Sequence, residues 1–127
     1  MIRDGRLIWG GCDAAGLAER FGTPLYVIDE ALVREKIAEL RRSFLDRWSD
    51  TQAVYAGKAF LPLAMCALVA SEGLGLDMVS GGEIHAARAA GFPMERGYFH
   101  GNSKTEAELE FALDAGVGRI VVDGIME

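Results

Sequence analysis

The sequence is poor in cysteine and proline, with two of the first and three of the second in 127 residues. Cys12 and Cys66 stand far apart and form no CxxC pair. Neither a disulfide framework nor a paired-cysteine zinc module is indicated, and reduced thiols fit a cytoplasmic protein. Cys66 falls in an apolar helical stretch and reads as a core side chain. Long apolar runs are missing: the longest, residues 61–70, is well short of the ~20 residues of a membrane span. The opening MIRDGRL carries an Asp and no apolar stretch, so no signal peptide is visible. Basic charge is scarce as well. Thirteen Lys and Arg against nineteen Asp and Glu leave a net charge of −6, which argues against nucleic acid as a partner. The sequence contains no GxGxxG, P-loop, HExxH or GxSxG. His85 and His100 share no metal-ligand spacing with each other or with a cysteine. Nicotinamide, NTPase, zinc and serine-hydrolase chemistries are therefore set aside, and no metal is expected.

Half of the residues are apolar and a quarter are charged, the profile of a folded domain. Residues 3–8 read as a short strand, and AAGLAERF as a helix closed by Gly22. TPLYVID (23–29) is strand-like, and its Asp29 suits the N-cap of a long helix. Val33, Ile37, Leu40, Phe44 and Trp48 would line one face of that helix. From residue 52 a regular alternation begins. QAVYAGKA is a strand, followed by a helix from Pro62 to Glu72 that stops at Gly73. GLDMVS is a strand, and Ser80-x-x-Glu83 has the spacing of a capping box opening a helix to residues 90–91. GYFHG is a strand, Thr105-x-x-Glu108 is another capping box, and its helix stops at Gly116 before the strand RIVVDG. Strands alternating with helices over short connections predict a parallel sheet.

Each of these strands ends at a polar residue: Lys58, Asp77, His100 or Asn102, and Asp123. That recurrence suits a (β/α)8 barrel, which carries one such unit per strand. Only four units are present, and the chain stops at Ile125-Met126-Glu127. A domain rarely ends on a fresh parallel edge, so the chain is expected to be truncated, the N-terminal part of a chain about three times longer, and poorly soluble alone. An open doubly wound sheet is the alternative, but the Gly-rich loop it usually carries after its first strand is not present.

Five blocks make the pattern recognisable: GTPLYVIDEALVREKI (22–37), YAGKAF (55–60), GLGLDMVSGGEIHAARAAG (73–91), FHGNSKTEAEL (99–109) and VVDG (121–124). In order and spacing they resemble the fold-type III pyridoxal-phosphate-dependent amino-acid decarboxylases. SGGE followed by HGNSK leans towards the diaminopimelate branch. The resemblance implies a homodimer whose subunits each carry a (β/α)8 barrel and a β domain. Residues 1–28 would be an N-terminal segment of the β domain, and 29–127 the first half of the pyridoxal-phosphate-binding barrel. It implies an enzyme that decarboxylates a small amino-acid substrate, meso-2,6-diaminopimelate, to L-lysine. The ring-stacking His, the phosphate loop and the substrate-end groups would lie beyond residue 127.

Lys58 is the candidate catalytic residue. Strand parity would set it beside Val54 and Ala56 on the barrel's inner face. An unpaired ammonium there has no cheap structural role, whereas condensation with the cofactor aldehyde gives it one. Candidate cofactor-binding residues are Lys58 itself, Asp77, Glu83, His100 and Asn102. Asp77 would orient the lysine, or else pair structurally. Glu83 is explained equally by its capping box. His100 could be a satisfied structural group, and Asp123 could reach the mouth or cap a turn. Gly81-Gly82 reads as turn geometry, Lys104 as a loop charge and His85 as a solvated helix residue. A sibling decarboxylase of the ornithine or arginine type, or a catalytically dead barrel acting as a binding partner, are the rival readings.

Overall fold

The computed structural model describes residues 1–125, so the expected end of the barrel portion at residue 127 lies outside the described residues. The chain divides into two compact units, Met1–Ser49 and Asp50–Glu127. This is a division by packing within the chain, and a different matter from the domain boundary expected at 28/29 in a longer protein.

In the first unit, strands β1 (Ile2–Arg3) and β2 (Arg6–Trp9) form an antiparallel hairpin. The single strand expected over residues 3–8 is thus corrected. Asp4 and Gly5 both take positive φ, 50° and 74°, which a tight two-residue hairpin requires and which an Asp-Gly pair tolerates well. Strand β3 (Cys12–Asp13) pairs back on β2. Helix α1 (Ala14–Phe21) starts on Asp13, whose carboxylate accepts the Ala15 N–H and an Arg6 guanidinium at 2.6 Å. It ends at Gly22, as expected. Residues 23–29 form no strand: no ladder partner pairs them among the described residues, and Tyr26 is 93% exposed. Helix α2 (Glu30–Ser43) is capped by Asp29, which accepts the Leu32 N–H at 3.2 Å. It stops short of Trp48. The chain breaks at Phe44 into a 3-10 turn over Leu45–Arg47, and the Arg47 Nε donates to the Arg42 carbonyl at the helix end. Neither helix of this unit buries a residue.

The second unit bears out the expected alternation. Strands β4 (Val54–Ala56), β5 (Gly75–Met78), β6 (Gly97–Phe99) and β7 (Arg119–Ile120) lie side by side in that order, all parallel. Helices α3 (Leu63–Ser71), α4 (Gly81–Ala89) and α5 (Glu106–Asp114) make the crossovers. Leu76, Met78 and Phe99 on the sheet are buried, as are Cys66 and Val69 on α3, Ile84 and Ala87 on α4 and Ala112 on α5. The buried side chains are all apolar among the described residues. Strand alternation sends Gly75, Asp77 and Tyr98 to the opposite face of the sheet.

The three helices end in one way. Gly73, Gly91 and Gly116 each take positive φ, and the next residue's N–H returns to the carbonyl five residues back: Leu74 to Val69, Phe92 to Ala87, Val117 to Ala112. This pattern satisfies terminal carbonyls and places an apolar residue just after each helix, buried in the cases of Leu74 and Phe92. The helix starts are linked too. Glu108 completes the box with Thr105, accepting its N–H at 3.1 Å and its hydroxyl at 2.9 Å, and its other oxygen accepts the Gly81 N–H at 3.1 Å. One carboxylate thereby serves the N-termini of α4 and α5.

These donors, the Thr105 and Gly81 N–H groups first, hold the Glu108 carboxyl below its ordinary value of 4.5. A depressed carboxyl stabilises the fold at pH values above the unfolded value, and that contribution is lost as pH falls through the folded one. Glu108→Gln should therefore lower the melting temperature at pH 7, with the gap to the unaltered protein closing in acid. Thermal melts from pH 7 to pH 3 check this, and a gap that stays constant throughout would contradict it.

Candidate active site

Strand register decides where the polar residues emerge. The last residue of β4, Ala56, pairs with Asp77, and Asp77 pairs with Tyr98. Beyond Ala56 the chain tightens into a 3-10 turn, Gly57–Ala59, closed by the Phe60 N–H on the Gly57 carbonyl. The turn lies directly on the end of β5. A Cβ at Gly57 would come within 2.7 Å of the Asp77 carbonyl oxygen and 2.9 Å of a Leu61 methyl. Only a glycine fits that approach. Tyr55 braces the far side by donating its hydroxyl to the Phe60 carbonyl at 2.9 Å, and burial pushes that phenol up, keeping it a donor.

Lys58 sits on this turn and is exposed. The strand expected to run through it stops two residues earlier, so strand parity does not set its direction. Nor is its ammonium buried in this chain, and the reason for its presence drawn from the cost of a buried unpaired charge does not hold here. What remains is an accessible primary amine at a strand exit, without a hydrogen bond or ion pair among the described residues.

The neighbouring exits carry a connected set. The His100 N–H donates to the Met78 carbonyl at 2.8 Å, extending the β5–β6 ladder, and the Val121 N–H does the same to Phe99 at 2.9 Å. The His100 Nδ1 lies 3.6 Å from the Asp77 Oδ1, and its Nε2 lies 3.8 Å from the Asp123 Oδ1. These are ion-pair distances, too long for direct hydrogen bonds. The imidazole just after β6 thus stands between a carboxylate on β5 and one beyond the end of β7. Asp123, left undecided by the sequence, is a member of this set; the recurrence of polar strand ends was its only signal.

The other candidates are placed apart from that set. Glu83 is on the first turn of α4, where its N–H donates to the Ser80 hydroxyl. Its carboxylate accepts the Val79 N–H, one residue before the expected capping partner. Asn102 is exposed on the loop after His100, without a hydrogen bond among the described residues. Lys104 braces that loop, donating to the Gly101 carbonyl at 2.6 Å with its ammonium 5.9 Å from the Phe99 ring centre. The Gly81 N–H is taken by Glu108, in keeping with a turn rather than an anion cradle. His85 is exposed, and Cys66 is a fully buried core side chain whose thiol burial pushes up. A cleft of about 540 Å³ in the first unit, lined in part by Arg3, Trp9 and Asp29, contains none of these residues. Among the described residues no group of side chains is arranged to hold a metal ion, and no helix is long and apolar enough to cross a membrane.

An aldehyde cofactor asks for a reachable amine with polar groups beside it. The exposed Lys58 and the Asp77–His100–Asp123 set at the exits of successive strands fit pyridoxal phosphate on that ground. The family described as pyridoxal-dependent decarboxylase, pyridoxal binding domain, matches residues 31–127. A diaminopimelate decarboxylase of Bacillus subtilis is 51% identical over 97% of this chain, and one of Halalkalibacterium halodurans is 48% identical over the same share. In both cases the chain spans 28% of the relative. The crystal structure of a diaminopimelate decarboxylase from M. jannaschii in co-complex with L-lysine superposes with a TM-score of 0.88 at 38% identity, covering 99% of this chain and 30% of that one. The parallel β/α units are therefore the opening portion of the (β/α)8 barrel of fold-type III enzymes, as the sequence indicated. With its family match, its fold and a lysine at the exit of the first barrel strand, the chain belongs to the pyridoxal-binding domain family of the pyridoxal-dependent decarboxylases.

Proposed function

We propose that the whole protein carrying this chain is a pyridoxal-phosphate-dependent decarboxylase that converts meso-2,6-diaminopimelate to L-lysine and carbon dioxide. One observation carries the reading: nearly the whole chain is alike to diaminopimelate decarboxylases from separate organisms. We infer also that the protein works as a homodimer in the cytoplasm, on small amino-acid substrates. The resemblance supports the dimer, and two unpaired cysteines suit a reducing compartment.

Pyridoxal phosphate, when bound, supplies the electron sink for the pair released as the carboxylate bond breaks. The residues of this chain hold and orient it. Lys58 is its covalent anchor, presented by a turn that Gly57 allows to lie on β5. The same Nζ, when not bonded to the cofactor, would be an amine available to hold a proton at this rim. Asp77, cross-strand from the residue two before Lys58, brings a carboxylate to the same rim. His100 and Asp123 orient that carboxylate from the next strands. Glu83 fixes the loop after Asp77 through the Val79 N–H. Asn102 offers an exposed amide on the loop after His100.

Assaying meso-diaminopimelate, L-lysine, L-ornithine and L-arginine side by side tests the substrate. The expected kcat/KM favours meso-diaminopimelate by at least about a hundredfold, because a site built for a distal carboxylate leaves groups unpaired with the other substrates. Greater turnover of ornithine or arginine would move the protein to a sibling branch, and no turnover of any of them would leave a binding role.

Gly57→Ala tests the turn. Its methyl group would meet the Asp77 carbonyl oxygen at 2.7 Å, so the turn must shift at an overpacking cost of about 1–3 kcal/mol. Cofactor occupancy after dialysis should fall with it, read by absorbance alongside urea unfolding. Full occupancy in the variant would show that the turn does not set the lysine.

A further inference from the structure

We propose that His100 is a positioning residue that keeps the Asp77 carboxylate from pairing with the Lys58 ammonium. The sheet sets up a conflict at its rim. Ala56 and Asp77 are cross-strand partners, and Lys58 follows two residues after Ala56. A carboxylate and a lysine on adjacent strand exits ordinarily find each other, since both side chains are short of partners at a strand end. Here they do not. The Asp77 Oδ1 lies 3.6 Å from the His100 Nδ1, while Lys58 has no ion pair among the described residues. The imidazole has a carboxylate on its other side as well, Asp123 at 3.8 Å from Nε2, and its backbone is held in the ladder by the His100 N–H on the Met78 carbonyl. The remaining charges of the two loops are committed elsewhere: Glu83 to the Val79 N–H, and Lys104 to the Gly101 carbonyl. His100 is thus the group that holds Asp77 on the β6 side of the rim.

The consequence is chemical, and its meaning for cofactor loading rests on the reading of Lys58 above. An amine condenses with an aldehyde only in its neutral form. Nζ bonds to the carbonyl carbon, both amine hydrogens leave with the carbonyl oxygen as water, and no oxidant is needed. A lysine paired with a carboxylate surrenders its proton less readily. A diverted Asp77 leaves Lys58 the more reactive amine.

The test uses the full-length protein freed of cofactor, and the probe is trinitrobenzenesulfonate, which arylates neutral amines. The rate at Lys58 is followed by peptide mass spectrometry at one fixed pH below the usual lysine range. His100→Ala should slow that rate about tenfold, the equivalent of about one pKa unit. Adding Asp77→Asn to it should restore the rate to within about twofold of the unaltered protein, because the competing carboxylate is then gone. His100→Gln, whose amide keeps a donor facing Asp77, should stay near the unaltered rate. His100→Phe provides the same contrast as His100→Ala if the alanine variant does not fold. An unchanged rate in the Ala or Phe variant, or a double variant as slow as the single, would overturn the proposal and leave His100 a purely structural role. Incorporation of pyridoxal phosphate is mapped in parallel. Cofactor found on another lysine while Lys58 arylation follows the expected order would sink the cofactor assignment alone.

Discussion

Parallel pairing in register is the constraint from which the rest of the second unit follows. Val54 lies opposite Gly75, Leu76 opposite Gly97 and Tyr98 opposite Arg119, so all four strands run the same way and exit at the same edge. Parallel strands demand crossovers, and the crossovers here are three helices laid on one face of the sheet. Burial is concentrated between those layers, on Leu76, Met78 and Phe99 from the sheet and on Cys66, Val69, Ile84 and Ala112 from the helices. The recurring glycine turns after α3, α4 and α5 each end a helix and turn the chain back towards the sheet with an apolar residue next in sequence.

This division of labour separates stability from chemistry. The apolar layer contains no buried polar side chain among the described residues. Polar groups gather where the strands run out: Lys58 after β4, Asp77 at the end of β5, His100 after β6, Asp123 after β7. Enzymes of the (β/α)8 class use that edge in the same way, because loops can vary there without disturbing the core. Two backbone details give the edge its shape. The absent side chain at Gly57 lets the lysine turn press against the Asp77 carbonyl, and ladder bonds at His100 and Val121 carry the sheet past its last formal strand residues.

Much of this was legible in the sequence, and the failures have physical causes. The β/α alternation, the caps at Asp29, Ser80 and Thr105, and the stops at Gly73, Gly91 and Gly116 all follow local rules that neighbours do not override. The hairpin at Asp4-Gly5 carried a local signal too, but the two-residue strand before it is too short for alternation to show. Residues 23–29 have the composition of a strand, yet a strand needs a ladder partner, and composition does not say whether one is there. Trp48 continued the apolar spacing of α2, which has no bearing on where Phe44 leaves helical geometry. At the site, periodicity placed a strand at Val54–Ala56 but carried it on through Lys58, and could not anticipate that the chain would tighten at Gly57 into a 3-10 turn. The pairing of His100 with both Asp77 and Asp123 joins residues 23 apart in sequence on either side, visible only when the strands are in register.

The central claim is that Lys58, on its glycine-permitted turn, is the residue that carries the cofactor. The most direct measurement is borohydride reduction of the full-length protein loaded with pyridoxal phosphate, followed by peptide mapping of the fixed pyridoxyl group. The account predicts the label on Lys58, in stoichiometric amount, and its loss in Lys58→Ala. A label on Lys36, Lys104 or a lysine outside this chain, retained when Lys58 is replaced, would contradict it.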